Sequence, residues 1–376
     1  MSGQKIAFYT DSDCFVGLEK NILHFMEWLT GYRYEVILVS QKNQIIALKA
    51  DKIGIPTVSS ESKIRDIRLK KAWKLSRVLR RHQINILFVI RPHDLSVAAL
   101  TKLLFYRKLK IIFIQQSELH LKKHPVLYSV LFRPIDAWIA TSDSMRKRAI
   151  ELIKFNPSHI HYIPPCIDME YYDTNALAVE AARKLLDLPE GRVIVGTIGK
   201  YDTRRKQDFL IRAMQFLHRH DYDVDLLIMG ESGTDEENEY YKFLRELVQE
   251  CQVGKFVHFR PYSDKIVTFF RAIDYFVMNW AGAPYDLILV KAMASGVPIL
   301  ARFSDHNTEL LRNGEFGMLY RANDIEDFSS KIIHLLTQPR LRDYLKTRSM
   351  QIVRDHYDRK IACSKVEKVI DNLQEK

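Results

Sequence analysis

Four cations stand close together in the segment 199–208, Gly-Lys-Tyr-Asp-Thr-Arg-Arg-Lys-Gln-Asp, which follows an apolar run and precedes an amphipathic one. They are Lys200, Arg204, Arg205 and Lys206. Such side chains hold a diphosphate through charge-assisted hydrogen bonds, and a helix N-terminus adds backbone N–H donors. They would also stabilise the charge that develops when a diphosphate departs. A solvated basic loop is the alternative, but the predicted strand–loop–helix placement favours an anion site.

Short apolar, β-branched runs predict the strands that position this loop. In the first half they are residues 5–10, 35–39, 86–90, 110–114, 137–140 and 159–163, and in the second half 192–198, 224–229, 255–259, 274–278, 297–300 and 317–320. Amphipathic stretches with apolar residues three and four apart separate them, which predicts helices. Because the strand runs are continuously apolar, we expect parallel sheets covered by helices on both faces.

Length and pattern predict two α/β domains of Rossmann type, each a doubly wound parallel sheet, facing each other across a cleft. A chain of 376 residues is long enough to bury two cores. We predict a first domain over residues 1–170, a linker over 171–190 and a second domain over 191–355. The charged segment 356–376 is predicted to form a helix that crosses back to the first domain. Ligands are expected at the carboxyl ends of the strands.

The basic excess of the chain is concentrated in one segment. The net charge is +11, and residues 61–150 alone hold 20 Lys and Arg against 6 Asp and Glu. Within them, residues 68–81 and 103–110 mix cations with apolar and aromatic side chains, a pattern that suits an anionic membrane surface. A solvated helix face is the alternative interpretation. Nucleic acid is not predicted as a partner, because no recognition motif accompanies the charge.

Cysteine usage and the N-terminal sequence favour a cytoplasmic protein. Cys14, Cys166, Cys251 and Cys363 are scattered without a CxxC pair, which argues against a zinc site or a disulfide framework. The N-terminus lacks the pattern of a secretory signal, and no apolar run approaches the ~20 residues that cross a bilayer. We therefore expect a cytoplasmic location, extended by the basic segment to a peripheral position on the inner membrane face.

Several segments follow, in chain order, the motifs of one known family. Residues 199–213 resemble the Gly-Arg…Lys-Gly-x-Asp-x-Leu-Ile-x-Ala segment of the family 4 retaining glycosyltransferases (glycosyl transferases group 1), which have the B-type fold of two Rossmann domains. The other resembling segments are 17–19, 136–142, 163–168, 227–230, 291–301 and 308–317. The resemblance spans nearly the whole chain and is densest from Val193 to Tyr320.

The resemblance implies an enzyme that moves a sugar from a nucleotide-diphosphate donor to an acceptor hydroxyl with retention of the anomeric configuration. It implies that Gly17, Lys200, Arg205 and Glu309 bind the donor, with Lys200 matching the family's phosphate-binding arginine and Arg205 its lysine. It implies neither metal nor cofactor, because cations and a helix N-terminus neutralise the diphosphate. The donor would be a UDP- or GDP-linked sugar, and the acceptor a glycan or a lipid-linked molecule on the side of the first domain.

The sequence departs from the family at a pair of glutamates that stand eight positions apart in the pattern E-x-F-G-x-x-x-x-E. Ala283 and Lys291 occupy these two positions, and Asp286 replaces the family glycine. Lys291 cannot accept hydrogen bonds from ribose hydroxyls, because an ammonium group only donates, but it could reach a phosphate. Asp286 could supply the missing carboxylate, and backbone N–H groups near Leu287 and Ile288 could contact the donor.

A second departure follows the fourth predicted strand, where family members often carry a histidine beside the donor sugar. Gln116 stands at that position, and Glu118 and His120 follow it closely. Glu118 and His120 are therefore the candidates for acid–base catalysis. A lone histidine is more often structural, so a structural role for His120 stays open.

Two interpretations of function follow, an active glycosyltransferase and a lapsed one that serves as a binding or scaffold subunit. Loss of both glutamates favours the lapsed form, since a fold alone does not fix function. The retained cations favour the active form, because a dead site has no use for four positive charges. A nucleotide-sugar epimerase on the same architecture is not predicted, since Glu118 and His120 are the only candidates for the several acid–base groups it needs.

Overall fold

The computed structural model describes residues 4–11, 17–41, 43–60, 66–116, 132–153, 155–175, 177–281 and 287–375. The chain divides into two compact units, each built on one parallel β-sheet with helices. The described residues up to Pro165 and the helix Arg359–Gln374 form the first unit, and those from Cys166 to Asp358 form the second. The predicted fold class of two Rossmann-like α/β domains is confirmed.

The first unit has a sheet of seven strands within the described residues. They are β1 (Gln4–Tyr9), β2 (Tyr34–Ser40), β3 (Thr57–Ser59), β4 (Ile86–Val89), β5 (Lys110–Gln115), β6 (Ala137–Ala140) and β7 (Ile160–Tyr162). Their order is β3-β2-β1-β4-β5-β6-β7, and all neighbours are parallel. Ile6, Ala7, Phe8 and Tyr9 are all buried. Burial of successive residues means that both faces of the sheet are covered.

Helices cover this sheet and connect its strands. They are α1 (Gly17–Thr30), α2 (Ile45–Lys52), α3 (Arg68–Arg81), α4 (Pro92–Leu100) and α5 (Asp143–Ile153). A π-helical turn, Thr101–Phe105, continues α4. The helix Arg359–Gln374 packs with α1 in the same unit. Arg33, just beyond α1, donates to Glu367 at 2.8 Å and to Asp371 at 2.6 Å on that helix.

The second unit has a six-stranded sheet within the described residues. Its strands are β8 (Val193–Ile198), β9 (Val224–Gly230), β10 (Val257–Pro261), β11 (Tyr275–Met278), β12 (Ile299–Arg302) and β13 (Met318–Tyr320). Their order is β10-β9-β8-β11-β12-β13, again with parallel neighbours. Along β9, Leu226 and Ile228 belong to one buried cluster and Leu227 and Met229 to another. Alternate residues thus face two cores, one on each side of the sheet.

Nine helices of the second unit lie within the described residues. They are α6 (Met169–Thr174), α7 (Val179–Leu185), α8 (Gln207–Arg219), α9 (Asp235–Glu250), α10 (Ile266–Ala272), α11 (Ile288–Ala294), α12 (Asp305–Leu310), α13 (Ile325–Thr337) and α14 (Pro339–Ile352). The final helix, Arg359–Gln374, is α15. In the first unit, Pro157–His159 forms a single 3-10 turn. In the second unit, 3-10 turns lie at Thr203–Arg205 and Arg312–Gly314, and Val353–Tyr357 is π-helical.

The twelve predicted strands all correspond to observed strands, with ends that differ by at most two residues. β3 was not predicted, because it has three half-buried residues and no apolar run. Most of α6 and all of α7 fall within residues 171–190, which were predicted as a linker. Tertiary contacts explain α7: its Arg183 is buried and donates to the carbonyl of Ala272 at 3.1 Å and to Asp274 at 2.8 Å.

Candidate functional site

The two central strands of the second sheet define the candidate site. The chain proceeds outward from β8 through β9 to β10 in one direction and from β11 through β12 to β13 in the other. In doubly wound sheets, ligands bind beyond the carboxyl ends of the strands at this reversal, the switch point. The loop after β8, which contains the four predicted cations, therefore lies where the topology favours a ligand.

The loop after β8 is held in shape by hydrogen bonds of its own. Oδ1 of Asp202 accepts a hydrogen bond from the N–H of Arg204 at 2.8 Å, which caps a single 3-10 turn. Lys206 follows in the left-handed region with φ 53°, and α8 then begins at Gln207. Gln207 is buried, and its Nε2 donates to the carbonyl of Lys200 at 2.8 Å. The predicted strand–loop–helix arrangement is confirmed.

The side chain of Arg205 is fixed at the junction of β8 and β11. Its guanidinium carbon lies 4.2 Å from the ring centroid of Trp280, two residues beyond the end of β11. It also passes over Gly199, where a Cβ would lie 2.6 Å from Nη1 of Arg205. Because Gly199 has φ +145°, a side chain there would be strained as well as crowded. The glycine therefore makes room for a guanidinium at the switch point.

Lys200 is held by a carboxylate in the first turn of α9. Nζ of Lys200 lies 3.2 Å from Oε1 of Glu237, whose Oε2 accepts from the N–H of Gly233 at 2.6 Å. Burial alone would raise the pKa of Glu237, but the hydrogen bonds from Gly233 and Lys200 outweigh it and lower that pKa. The Lys200 side chain is 48% exposed, so an incoming anion can compete with Glu237 for it.

The other two cations of the loop face solvent. Arg204 is 87% exposed and pairs with Asp202, and this pairing lowers the pKa of the Asp202 carboxyl. Lys206 is exposed, and within the described part of the chain no carboxylate lies at ion-pair distance from it. Of the four predicted cations, Arg205 is therefore the one that is built into the edge of the sheet.

Buried side-chain amides fix the segment that follows β11. Nδ2 of Asn279 donates to the carbonyl of Lys206 at 2.5 Å, and the hydroxyl of Tyr320 in β13 donates to Oδ1 of Asn279. Nδ2 of Asn307 in α12 donates to the carbonyl of Trp280 at 2.9 Å. Both amide residues are buried. The ring on which the Arg205 guanidinium lies is therefore positioned by hydrogen bonds from neighbouring elements.

The remaining donor residues predicted in the second unit follow β11 and β12. Leu287 precedes α11, Ile288 begins it, and Lys291 lies one turn later with a half-buried side chain. Glu309 is half-buried in α12. Since β8, β11 and β12 are consecutive in the sheet, the structure brings both segments to the same edge as the loop after β8.

The first sheet has its own switch point, between β1 and β4, and it holds paired charges. Glu19 in α1 is 2% exposed and accepts from Arg91, which follows β4. Asp11, which follows β1, accepts from Nζ of Lys71 at 2.5 Å, and both side chains are nearly buried. Asp94 accepts from the N–H of Asp11 at 3.3 Å, and burial raises the pKa of the Asp94 carboxyl.

Several predicted site residues are not brought to the second sheet by the described structure. Gly17 is the first residue of α1, in the first unit. Glu118 and His120 lie outside the described residues, and so does Asp286. The acid–base roles of Glu118 and His120 and the carboxylate role of Asp286 stay predictions.

The residues that position Lys200 and Arg205 were not predicted from the sequence. Asn279 and Trp280 directly follow a buried central strand, and an amide and an aromatic residue at such a strand end could have indicated the site. Gln207 and Glu237 offer no such signal. Their bonds to Lys200 join residues 7 and 37 positions apart, and only the fold brings these together.

The described residues contain neither a metal-binding cluster of side chains nor a membrane-spanning helix. Within them, no group of three or more His, Cys, Asp and Glu side chains is arranged to hold a metal ion. No helix in that part of the chain is both long enough and apolar enough to span a membrane.

Both units match protein-family models. Residues 16–171 match the model for Glycosyltransferase Family 4, and residues 179–351 match the model for Glycosyl transferases group 1. The D-inositol 3-phosphate glycosyltransferase of Nocardia farcinica is 27% identical over 223 residues, which cover 58% of this chain and 48% of that protein. The match thus spans about half the length of this curated relative.

Solved structures share the fold over almost the whole chain. A glycosyltransferase from Rickettsia africae superposes with a TM-score of 0.87 at 13% identity, covering 100% of this chain and 99% of that one. Anabaena HepE, solved in complex with UDP, gives a TM-score of 0.83 at 16% identity and covers 98% and 100%. At these identities the likeness establishes the fold, while the two family models establish the family. The chain belongs to the group 1 glycosyltransferases of family 4, with the two Rossmann-like domains of the B-type fold.

Proposed function

We propose that this chain transfers a sugar from a nucleoside-diphosphate donor to an acceptor hydroxyl, with retention of configuration and without a metal ion. The observation that carries the proposal is the Arg205 guanidinium, which lies on Trp280 at the switch point of the second sheet. A guanidinium presents several N–H donors in one plane and so suits the oxygens of a diphosphate. The family supports the same class of donor, and the similar Anabaena protein was solved with UDP.

The proposed reaction exchanges one bond at the anomeric carbon for another. The bond from that carbon to the β-phosphate oxygen breaks, a bond to the acceptor oxygen forms, and the acceptor proton is released. The departing diphosphate gains negative charge, which Arg205 and Lys200 stabilise. Lys200 exchanges its exposed ion pair with Glu237 for the diphosphate, and such a pair contributes only about 0–1 kcal/mol, so the exchange costs little.

Further donor contacts are assigned to the segments after β11 and β12. Lys291 can only donate hydrogen bonds, so we assign it to a phosphate oxygen and not to a ribose hydroxyl that donates. The carboxylate of Glu309 can accept from hydroxyl groups of the sugar or ribose. UDP- and GDP-linked sugars both fit this assignment, and neither the base nor the sugar is specified by it.

The proposal extends to the acceptor and to the location of the chain. We propose a glycan or lipid-linked acceptor and a cytoplasmic, peripheral position on the inner face of a membrane. The support is the charge distribution, since residues 66–110 contain 12 Lys and Arg against 2 Asp and Glu. Each suitably placed cation adds roughly 1 kcal/mol of attraction to an anionic surface.

A lapsed glycosyltransferase that binds a nucleotide without transferring sugar is the second candidate function. The observation that favours it is Lys291, a half-buried donor-only group where the family carries a glutamate. Binding and transfer therefore have to be measured separately.

Calorimetric titration with UDP, GDP and their sugars, followed by assays of transfer and of slow donor hydrolysis, tests the proposal. We expect one nucleotide sugar to bind and to be consumed. Charge reversal at both Lys200 and Arg205 should abolish binding, whereas Arg204→Gln, which removes a solvent-facing cation from the same loop, should not. If no nucleotide binds, the transferase proposal is wrong. Binding without transfer or hydrolysis identifies the lapsed form.

A further inference from the structure

We propose that α3 and the π-helical turn after α4 form a single docking surface for an anionic lipid bilayer, here called the basic apolar face. Its apolar members are Leu69, Trp73, Leu103 and Leu104, and its cations are Arg68, Lys70, Arg77, Arg80, Arg81, Arg107 and Lys108. The inference rests on the membrane location proposed above and on no step of sugar transfer. The basic apolar face meets the bilayer, and its apolar side chains insert while its cations attract the anionic headgroups.

Helix α3 divides sharply into a buried and an exposed side. Ala72, Leu75 and Leu79 are at most 1% exposed and belong to the core of the first unit. On the exposed side, Leu69 and Trp73 keep 46% and 44% of their surface in solvent. Large apolar side chains grouped on a surface indicate an interaction site, since water contact with them is unfavourable.

The π-helical turn extends this exposed apolar surface beside α3. Leu103 is 52% exposed and Leu104 is 59% exposed. Oγ1 of Thr101 donates to the carbonyl of Ala72 in α3 at 3.2 Å. Arg80 of α3 donates in turn to the carbonyl of Phe105. These bonds join the helix and the turn, so their exposed residues form one surface.

The sequence segment that supplies the basic apolar face contains few carboxylates. Between residues 66 and 110, all of which are described, the sequence has only two acidic residues, Asp66 and Asp94. The Asp66 carboxylate forms ion pairs with Nζ of Lys70 at 3.3 Å and with Nζ of Lys74 at 2.8 Å, and Asp94 is buried. The surface therefore carries a strong positive charge, which calls for an anionic partner.

A bilayer satisfies both the charge and the apolar side chains. Anionic headgroups attract Lys and Arg, while Trp and Leu side chains favour the boundary between headgroups and acyl chains. The Arg77 guanidinium lies 5.0 Å from the centroid of the Trp73 ring. A cation stacked on this ring can turn to a lipid phosphate when the ring enters the interface. Nucleic acid would use the cations but would leave Leu103 and Leu104 in water.

Vesicle flotation of the full chain tests the surface, with vesicles of phosphatidylcholine alone or mixed with phosphatidylglycerol. We expect binding to the mixed vesicles only. Leu103→Gln with Leu104→Gln should weaken binding about tenfold or more. Arg77→Gln with Arg107→Gln should weaken it by about 30-fold, because each cation contributes roughly a fivefold factor. The matched controls, Leu48→Gln and a Lys49→Gln, Lys52→Gln pair, alter α2 of the same unit and should bind like the unmodified chain.

Trp73 supplies a second measurement that does not depend on flotation. Its fluorescence should shift to shorter wavelength when mixed vesicles are added, and Trp73→Phe should remove the shift while leaving the fold intact. If the unmodified chain does not float, the membrane location itself is wrong. If it floats but the variants bind like the controls, the docking surface is wrong. If only the charge variants weaken binding, the attraction to the vesicles is purely electrostatic and the proposed insertion of the apolar side chains is wrong. Donor titration of the same variants reports separately on nucleotide-sugar binding.

Discussion

At the switch point of the first sheet, Glu19 pairs with Arg91 and Asp11 pairs with Lys71, and three of these four side chains are nearly buried. At the switch point of the second sheet, Arg205 lies on an aromatic ring and Lys200 is half exposed. The two switch points thus share their topology but differ in the contacts that are seen to hold their charged side chains.

The difference indicates what each edge can bind. Charges that are paired inside the protein produce little net field and leave polar groups for an uncharged partner. Cations held at a surface by an exchangeable carboxylate or an aromatic ring keep their attraction for an anion. We therefore assign the diphosphate to the switch point of the second sheet.

The largest effect is expected when an ion pair at the switch point of the first sheet is broken. Lys71→Met leaves Asp11 buried without its ammonium partner and should lower the free energy of unfolding by about 3–5 kcal/mol. Adding Asp11→Asn to Lys71→Met should restore most of this loss, because no buried charge is then left alone. Chemical denaturation followed by circular dichroism measures both. A loss below about 1 kcal/mol for the single variant would show that the pair is not structural.

Replacement of the ring under Arg205 should weaken donor binding. Trp280→Leu keeps an apolar side chain but removes the ring face, and we expect the affinity for nucleoside diphosphate to fall about 5–30-fold. Trp280→Phe keeps a ring and should lose less. Calorimetric titration measures the affinities, and melting curves report stability independently. Equal affinities for the two variants would refute the positioning role of Trp280.

The pH dependence of stability should reveal the buried carboxyl at the first edge. Burial raises the pKa of Asp94 in the folded chain, so its charged form destabilises the fold above that pKa, and protonation relieves this as the pH falls. Asp94→Asn should therefore be more stable at neutral pH by roughly 1 kcal/mol. The advantage should shrink in acid, as measured by melting temperatures across pH. An advantage that is independent of pH would contradict this account.

The smallest effect concerns the carboxylate that holds Lys200. Glu237→Gln removes the competing charge while its amide oxygen can still accept from the N–H of Gly233. We expect the affinity for nucleoside diphosphate to rise about two- to threefold, as a weak surface pair no longer has to be exchanged. Glu236→Gln, at the exposed neighbouring position, is the control. A fall in affinity would mean that Glu237 contributes to binding.

Most of the fold could be predicted from the sequence, because buried parallel strands are continuous apolar runs. Strand β3 was not predicted, because its three residues are only half-buried. Arg183 shows why α7 was also missed: its polar side chain is buried against the carbonyl of Ala272, a tertiary contact that leaves no periodic pattern.

The site was predictable only in part. Lys200 and Arg205 were predicted because charge, strand and helix are adjacent in sequence and because the segment resembles a family motif. Trp280 and Glu237 lie on other elements, and only the packing of β11 and α9 beside β8 brings them to the cations. Charge and spacing alone do not separate Arg204 from Arg205, whereas in the structure Arg204 faces solvent and Arg205 lies on the ring of Trp280.

The most direct test of the central claim, that Arg205 holds a diphosphate, compares nucleoside diphosphate with monophosphate binding by calorimetry. The unmodified chain should bind UDP or GDP at least about tenfold more tightly than the corresponding monophosphate, because the second phosphate gains charge-assisted hydrogen bonds. Arg205→Gln should lose most of this preference, and Arg204→Gln should keep it. If Arg205→Gln retains the full preference for the diphosphate, the phosphates bind elsewhere and the assignment of the second edge is wrong.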